Sequence, residues 1–306
     1  MSSNMRYAVT GAAGFIGSHL AEQLLAEGHD VVGIDSFTDY YDPALKEENA
    51  RNLDVRRLDL AEDELDFAGF DTVFHLAARP GVRSFGKVFP EYLRDNVLAS
   101  QRVFEAAARD GVRVVFTSSS SVYGAAERYP TPEDTPPQPI SPYGISKLAC
   151  EHLAAAYARE FGLECVVLRY FNAFGPRQRP DMAFTRIVEA LAGGTRFHIY
   201  GDGDQSRSWT YVGDIVDATV AAVGGSGTYN VGGALEASLN EAIALLEQIS
   251  GRTLDVVREP AVPGDQQRTR ADTTRIEAEL DWIPRVSLEH GLNAQWEWAS
   301  SRVSAR

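Results

Sequence analysis

The chain has 306 residues, 44% hydrophobic and 24% charged, enough to bury a large core and outside the disordered and fibrous classes. Its formal net charge of -14 argues against nucleic-acid binding through a general basic field, so an anionic ligand must be held by local arginines. The two cysteines lack metal-site spacing, the six histidines form no HExxH-like pair, and no apolar run reaches transmembrane length. No metal and no membrane partner are expected. The first residues (MSSNM) lack a basic segment followed by an apolar one, so a cytoplasmic location is expected.

Residues 6–10 (RYAVT) form a short apolar strand, and a glycine loop (11–17) follows. Residues 18–27 have helical periodicity and stop at Gly28. Residues 30–34 (DVVGI), 72–78 (TVFHLAA), 112–118 (VRVVFTS) and 166–170 are further strand-length apolar runs. Helices are expected at 92–109 and, opened by Pro142, at 143–161. The proline-rich stretch 129–142 is a surface loop, because strand–helix alternation resumes after it. Nearly continuous apolar strands between helices predict an α/β, Rossmann-like, doubly wound parallel sheet. The pattern loosens near Gly175, which predicts a dinucleotide-binding domain at 1–174 and a smaller α/β substrate-binding domain at 175–306, with some later elements returning to the first.

Gly11, Gly14 and Gly17 (GAAGFIG) sit between a strand and a helix, and Asp35 ends the next strand. Gly11 allows a tight turn, Gly14 close approach of a pyrophosphate, and Gly17 helix–strand packing. Phosphates then meet free amides at the positive helix end. A carboxylate at Asp35 suits ribose hydroxyls and repels a 2'-phosphate, which favours NAD over NADP.

Tyr143 and Lys147 (YGISK) are four apart and share a helix face. An ammonium beside a phenol favours the phenolate and would make Tyr143 a usable base near neutral pH. The serine-rich run 117–124 (TSSSSVYG) follows a strand and can bring a hydroxyl to both a substrate alcohol and the tyrosine.

With these motifs the chain resembles an extended short-chain dehydrogenase of the NAD-dependent epimerase/dehydratase family. GAAGFIG, Asp35, HLAA (75–78), SSSSVYG, YGISK, RYFNAFGP (169–176) and YGDGDQSRSWTYVGDIVDA (200–218) match it in order. The resemblance implies Ser119, Tyr143 and Lys147 as catalytic residues. It implies Gly11, Gly14, Phe15, Ile16, Gly17, Asp35, Ser36, Asp59, Leu60, Ala77, Ala78, Asn96, Tyr143, Lys147 and Tyr170 around NAD. It places Asn172, Arg207 and Arg268 at a nucleotide diphosphate, with Phe197 and Tyr200 near uracil. Two positions depart from the family pattern: Val262 replaces an arginine before Pro-Gly-Asp, and Ser208 replaces an aspartate after Arg207. The resemblance also implies a homodimer built from the helices at 92–109 and 143–161.

The family oxidises a sugar 4-hydroxyl and then diverges. Related dehydratases carry Asp-Glu just before VYG, and decarboxylases a glutamate. Ser120 and Ser121 stand here, so elimination is disfavoured and 4-epimerisation is expected. GPRQRPDMAF (175–184), ARPGVRS (78–84) and DYYDPALK (39–46) resemble UDP-glucuronate 4-epimerases. A guanidinium is the natural bidentate partner of a hexuronate carboxylate. Arg179 is expected in that role, assisted by Ser120, Ser121 and Ser84, with Arg83 also at the substrate. The alternatives are a UDP-glucose or UDP-N-acetylhexosamine 4-epimerase, a UDP-glucuronate decarboxylase, and a non-catalytic NAD-binding protein. The last should have lost Ser119, Tyr143 or Lys147, and all three are present.

Overall fold

The computed structural model describes residues 4–81, 86–261 and 267–303, with only the backbone of Val303. The first six strands are β1 (Arg6–Thr10), β2 (Asp30–Asp35), β3 (Val55–Arg57), β4 (Thr72–His75), β5 (Arg113–Ser119) and β6 (Cys165–Tyr170). They pair in parallel in the order β3-β2-β1-β4-β5-β6, and the strand Gly227–Val231 joins beyond β6. The doubly wound parallel sheet read from the sequence is therefore present.

Two-residue alternation explains why these strands carry continuous apolar runs. Ala8, Val73, Val114 and Phe116 face one buried cluster, and Val9, Phe74 and Val115 face another on the opposite side. A third cluster, from Phe174 to Ala299, draws on the later part of the chain alone.

Local signals set the helices. Helix Pro142–Phe161 starts with the Ser141 side chain accepting from the Gly144 amide, has proline at its first position, and ends at Gly162 with φ 71°. The helix after the glycine loop begins at Phe15, three residues before the expected start. The expected helix at 92–109 is interrupted, because Leu93–Leu98 is π-helical before α-helix resumes at Ala99–Asp110. Both cysteines are free thiols. No described helix is long and apolar enough to cross a membrane.

One buried ion pair ties the helix Pro142–Phe161 to the sheet. Arg169 on β6 meets Glu151 at 2.6 Å, with both side chains under a tenth exposed. Arg169 also donates to the Tyr123 hydroxyl at 2.8 Å, and the Ser118 hydroxyl donates to Glu151. Removing one partner strands the other charge in the core. Glu151→Ala should lower stability by about 3–5 kcal/mol, read as a reduced urea midpoint. An unchanged midpoint would show that the pair contributes nothing to stability.

Candidate active site

A cleft of about 740 Å³ opens beyond the carboxyl ends of β1, β2, β4 and β5, with the chain from Tyr170 onward forming its far wall. Such crevices at the point where strand order reverses are where open α/β sheets bind ligands. All but one of the residues expected around a dinucleotide line it, as do most of the described residues expected at a sugar nucleotide.

The glycine loop is built for a close-approaching group. Gly11 has φ 73°, and a Cβ on Gly17 would lie 2.1 Å from the Gly11 carbonyl oxygen. No side chain caps the helix that starts at Phe15, so its first amides remain for an anionic ligand. Asp35 lines the cleft as expected, but its carboxylate also accepts from the Ala13 and Phe37 amides at 3.1 and 2.8 Å. It thus shapes the glycine loop as well. Phe15, Ile16, Ser36, Asp59, Leu60, Ala77, Ala78 and Tyr170 complete this end, and the glycine cradle with its carboxylate fits NAD.

Ser119, Tyr143 and Lys147 converge at the centre. The Ser119 hydroxyl is close enough to the Tyr143 phenol to draw its pKa down, and it lies 3.1 Å from the Ser121 hydroxyl. The Lys147 ammonium is fully buried, donates to the Thr117 carbonyl at 2.8 Å, and lies 5.9 Å from the Tyr143 ring centre. Burial dominates the electrostatics of this centre. Burial pushes the Tyr143 phenol up to about 12, against the pull of the Arg179 guanidinium and the Ser119 hydroxyl. Burial also pushes Lys147 down to about 8. Desolvation is the largest influence on both groups, and the charge that pulls the phenol back is that of Arg179.

Lys147 carries a pH consequence. Its folded pKa lies below its unfolded value, so between about pH 8 and 10.4 the unfolded chain binds the extra proton. That contribution to stability is present above the unfolded pKa and is lost as pH falls through about 8. Wild type should therefore gain stability relative to Lys147→Met between pH 7.5 and pH 10, on the order of a few kcal/mol. Urea melts of both proteins at the two pH values measure this, and a constant difference would contradict it.

The substrate end has Ser120, Ser121, Asn172, Arg179, Phe197, Tyr200 and Arg207 on its walls. The Asn172 amide donates to Thr269 Oγ1 at 2.7 Å, which holds it at the wall. Ser208, at the departure from the family pattern, is buried and donates to the Gly233 carbonyl at 2.8 Å. Arg179 holds Asp181 side-on, with Nε–Oδ1 at 3.0 Å and Nη2–Oδ2 at 3.1 Å.

Two expected residues are not on the cleft. Asn96 is buried behind it: its Oδ1 accepts from the Arg79 amide at 2.6 Å, and its Nδ2 donates to the Arg79 carbonyl and the Ser146 hydroxyl. It anchors the chain after β4 rather than meeting a ligand. Arg268 is on the wrong face. Its short strand pairs with Ser206–Ser208 so that Arg268 is level with Ser206 and Thr269 with Arg207, and alternation turns Arg268 away from Arg207. Its guanidinium grips Glu236 at 2.8 Å and lies over the Tyr129 ring. Arg83, Ser84 and Val262 lie outside the described residues.

Sequence reasoning missed Lys46, Tyr40 and Asp181. Lys46 is buried, donates to Thr38, and lies on the cleft beside Asp35. The Asp42-Pro43 start of the helix Pro43–Asn49, with Asp42 accepting from the Ala44 amide, was a readable cap signal. Tyr40 and Asp181 lie in the segments 39–46 and 175–184 whose resemblance was read, but no role was assigned to either side chain.

The fold and this cleft define a dinucleotide-dependent enzyme of the short-chain dehydrogenase type, with a Ser–Tyr–Lys centre. The model for the NAD dependent epimerase/dehydratase family matches residues 7–232. A crystal structure of UDP-glucuronic acid 4-epimerase from Bacillus cereus, in complex with UDP-glucuronic acid and NAD, superposes with a TM-score of 0.94. It is 38% identical, over 97% of this chain and 100% of that one. A Bacillus subtilis (strain 168) protein described as an uncharacterized UDP-glucose epimerase is 41% identical, over 97% of this chain and 98% of its own. A UDP-glucose 4-epimerase from Mycolicibacterium smegmatis is 38% identical, over 94% of this chain and 96% of its own. The chain belongs to the NAD dependent epimerase/dehydratase family, and its cofactor is NAD. The expectation of an NAD-dependent nucleotide-sugar epimerase is met at that level.

Proposed function

We propose that this enzyme is a UDP-glucuronate 4-epimerase, interconverting UDP-glucuronate and UDP-galacturonate through a 4-keto intermediate. The observation that carries the reading is Arg179, a guanidinium on the cleft wall near enough to Tyr143 for its charge to act on the phenol. Ser120 and Ser121 line the cleft as well and supply hydroxyl donors for a carboxylate. A relative holding UDP-glucuronic acid and NAD supports the same reading. Bound NAD supplies the hydride acceptor and donor.

The chain's own residues handle the proton and the geometry. Tyr143 accepts the 4-hydroxyl proton, Ser119 orients that hydroxyl, and Lys147 fixes the helix turn that presents the phenol. Arg207 and Asn172 serve the diphosphate, and Phe197 and Tyr200 the uracil. The region from Gly175 acts as the substrate-binding domain, apart from elements such as Gly227–Val231 that complete the sheet. The enzyme works as a homodimer through the helices that expose Leu93, Leu98, Ile145 and Phe161. A monomeric sedimentation coefficient at micromolar concentration would contradict that state.

A clamp on the carboxylate has a chemical purpose. The 4-keto intermediate is a β-keto acid, and loss of carbon dioxide needs the carbon–carboxylate bond parallel to the carbonyl π orbitals. Arg179 holds that bond near the carbonyl plane. A charge-assisted hydrogen bond is worth roughly 1.5–3 kcal/mol, so Arg179→Ala should weaken UDP-glucuronate affinity by roughly 10- to 150-fold. It should also release UDP-pentose, detected by mass spectrometry. Full affinity with no pentose would remove Arg179 from this role.

A UDP-glucose 4-epimerase is the second reading, favoured by the names of two relatives and by Arg179 already being paired with Asp181. NMR of the anomeric signals, with purified protein and no added NAD, separates the two. UDP-galacturonate formed from UDP-glucuronate is the expected result. Turnover of UDP-glucose alone would sink the uronate reading.

A further inference from the structure

Arg179 is not waiting with an empty fork. Its Nε and Nη2 bind Asp181 side-on at 3.0 and 3.1 Å, and the Tyr40 hydroxyl donates to the same Asp181 Oδ2 at 3.4 Å. Arg179, Asp181 and Tyr40 all line the cleft. A sugar carboxylate entering this wall therefore meets a guanidinium whose side-on edge is already taken by a carboxylate of the protein.

The two partners are unequal. The Arg179 side chain is 22% exposed and that of Asp181 43%. An unpaired guanidinium is costly where water is scarce, whereas a released carboxylate at the more open position returns to solvent. The pair can therefore break from the Asp181 side only if another anion takes Arg179. The backbone beneath does not need to move. Gln178 is buried and bonded to Thr185 and Gln295, its amide donates to the Gly175 carbonyl, and the Met182 amide donates to the Arg179 carbonyl. A re-pairing of side chains on a fixed turn is what this arrangement permits.

We propose that Asp181 is a specificity-determining residue: an internal carboxylate that occupies Arg179 until a uronate carboxylate displaces it. The inference rests on the reading of Arg179 as the uronate clamp. A neutral hexose offers nothing in exchange and leaves the ion pair intact. An acidic hexose replaces one carboxylate on Arg179 with another, so the guanidinium is never left bare. When the product leaves and takes its carboxylate with it, Asp181 takes Arg179 back. The exchange lowers affinity for the acidic sugar in the resting protein, because Asp181 both competes for the fork and repels the incoming charge.

Asp181→Asn tests this, since it removes the charge and one of the two strong acceptors while keeping the size. Calorimetric titration of the enzyme as isolated with UDP-glucuronate and with UDP-glucose gives the ratio of the two affinities. The expected result is a shift of about tenfold toward UDP-glucuronate, equivalent to about 1.4 kcal/mol. Asp181→Glu restores the carboxylate and should bring the ratio back toward wild type, which a merely structural role would not predict. An unchanged ratio, or a shift toward UDP-glucose, overturns the exchange. Wild-type turnover of UDP-glucuronate tests the substrate reading separately. Turnover without a shift in ratio sinks the exchange alone, and a shift without turnover leaves the exchange standing and sinks the substrate reading.

Discussion

The ammonium of Lys147, buried against the Thr117 carbonyl at 2.8 Å, joins the helix that carries Tyr143 to the end of β5. One turn further on, Glu151 fastens the same helix to Arg169 on β6 and to Ser118 on β5. The phenol of Tyr143 and the hydroxyl of Ser119 thus meet on two elements that cannot slide relative to each other. Charges this deeply placed are expensive, and each is offset by a partner on the neighbouring strand. The cleft on the carboxyl side of the sheet inherits its geometry from these contacts.

That rigidity has an electrostatic cost at Tyr143. Burial raises the Tyr143 phenol and depresses Lys147, so the two shifts oppose the ionisation state that would suit a base. Arg179 and Ser119 are the groups that pull the phenol back. Arg179 therefore touches two problems at once: it tempers Tyr143, and it is paired with Asp181 on the wall where a sugar would lie. A change of partner at Arg179 would be felt by the Tyr143 phenol.

The glycine loop, the first two strands and the helix opened by Ser141-Pro142 were legible because apolar periodicity and cap chemistry are local. β3 was not, since Val55–Arg57 is an edge strand with two exposed arginines and no apolar run. The strand Gly227–Val231 reads as a strand only once its place beside β6 is known. Ser119, Tyr143 and Lys147 share one cleft, a placement legible because each motif is short and follows a strand or opens a helix. Arg268 was misplaced because the face of a two-residue strand is set by its register with Ser206–Ser208, which no spacing reveals. Asn96 was taken for a cofactor contact, but its amide is spent on Arg79 and Ser146. Asp181 and Tyr40 escaped because loops 141 residues apart in the chain bring them together.

An epimerase that keeps its cofactor must return the hydride it removed to the same carbon on the opposite face. UDP-glucuronate labelled with deuterium at carbon 4, incubated with purified enzyme and no added NAD, tests this directly by NMR and mass spectrometry. The account predicts UDP-galacturonate with the deuterium retained at carbon 4. Loss of the label to solvent, or label recovered only in free NADH, would contradict it.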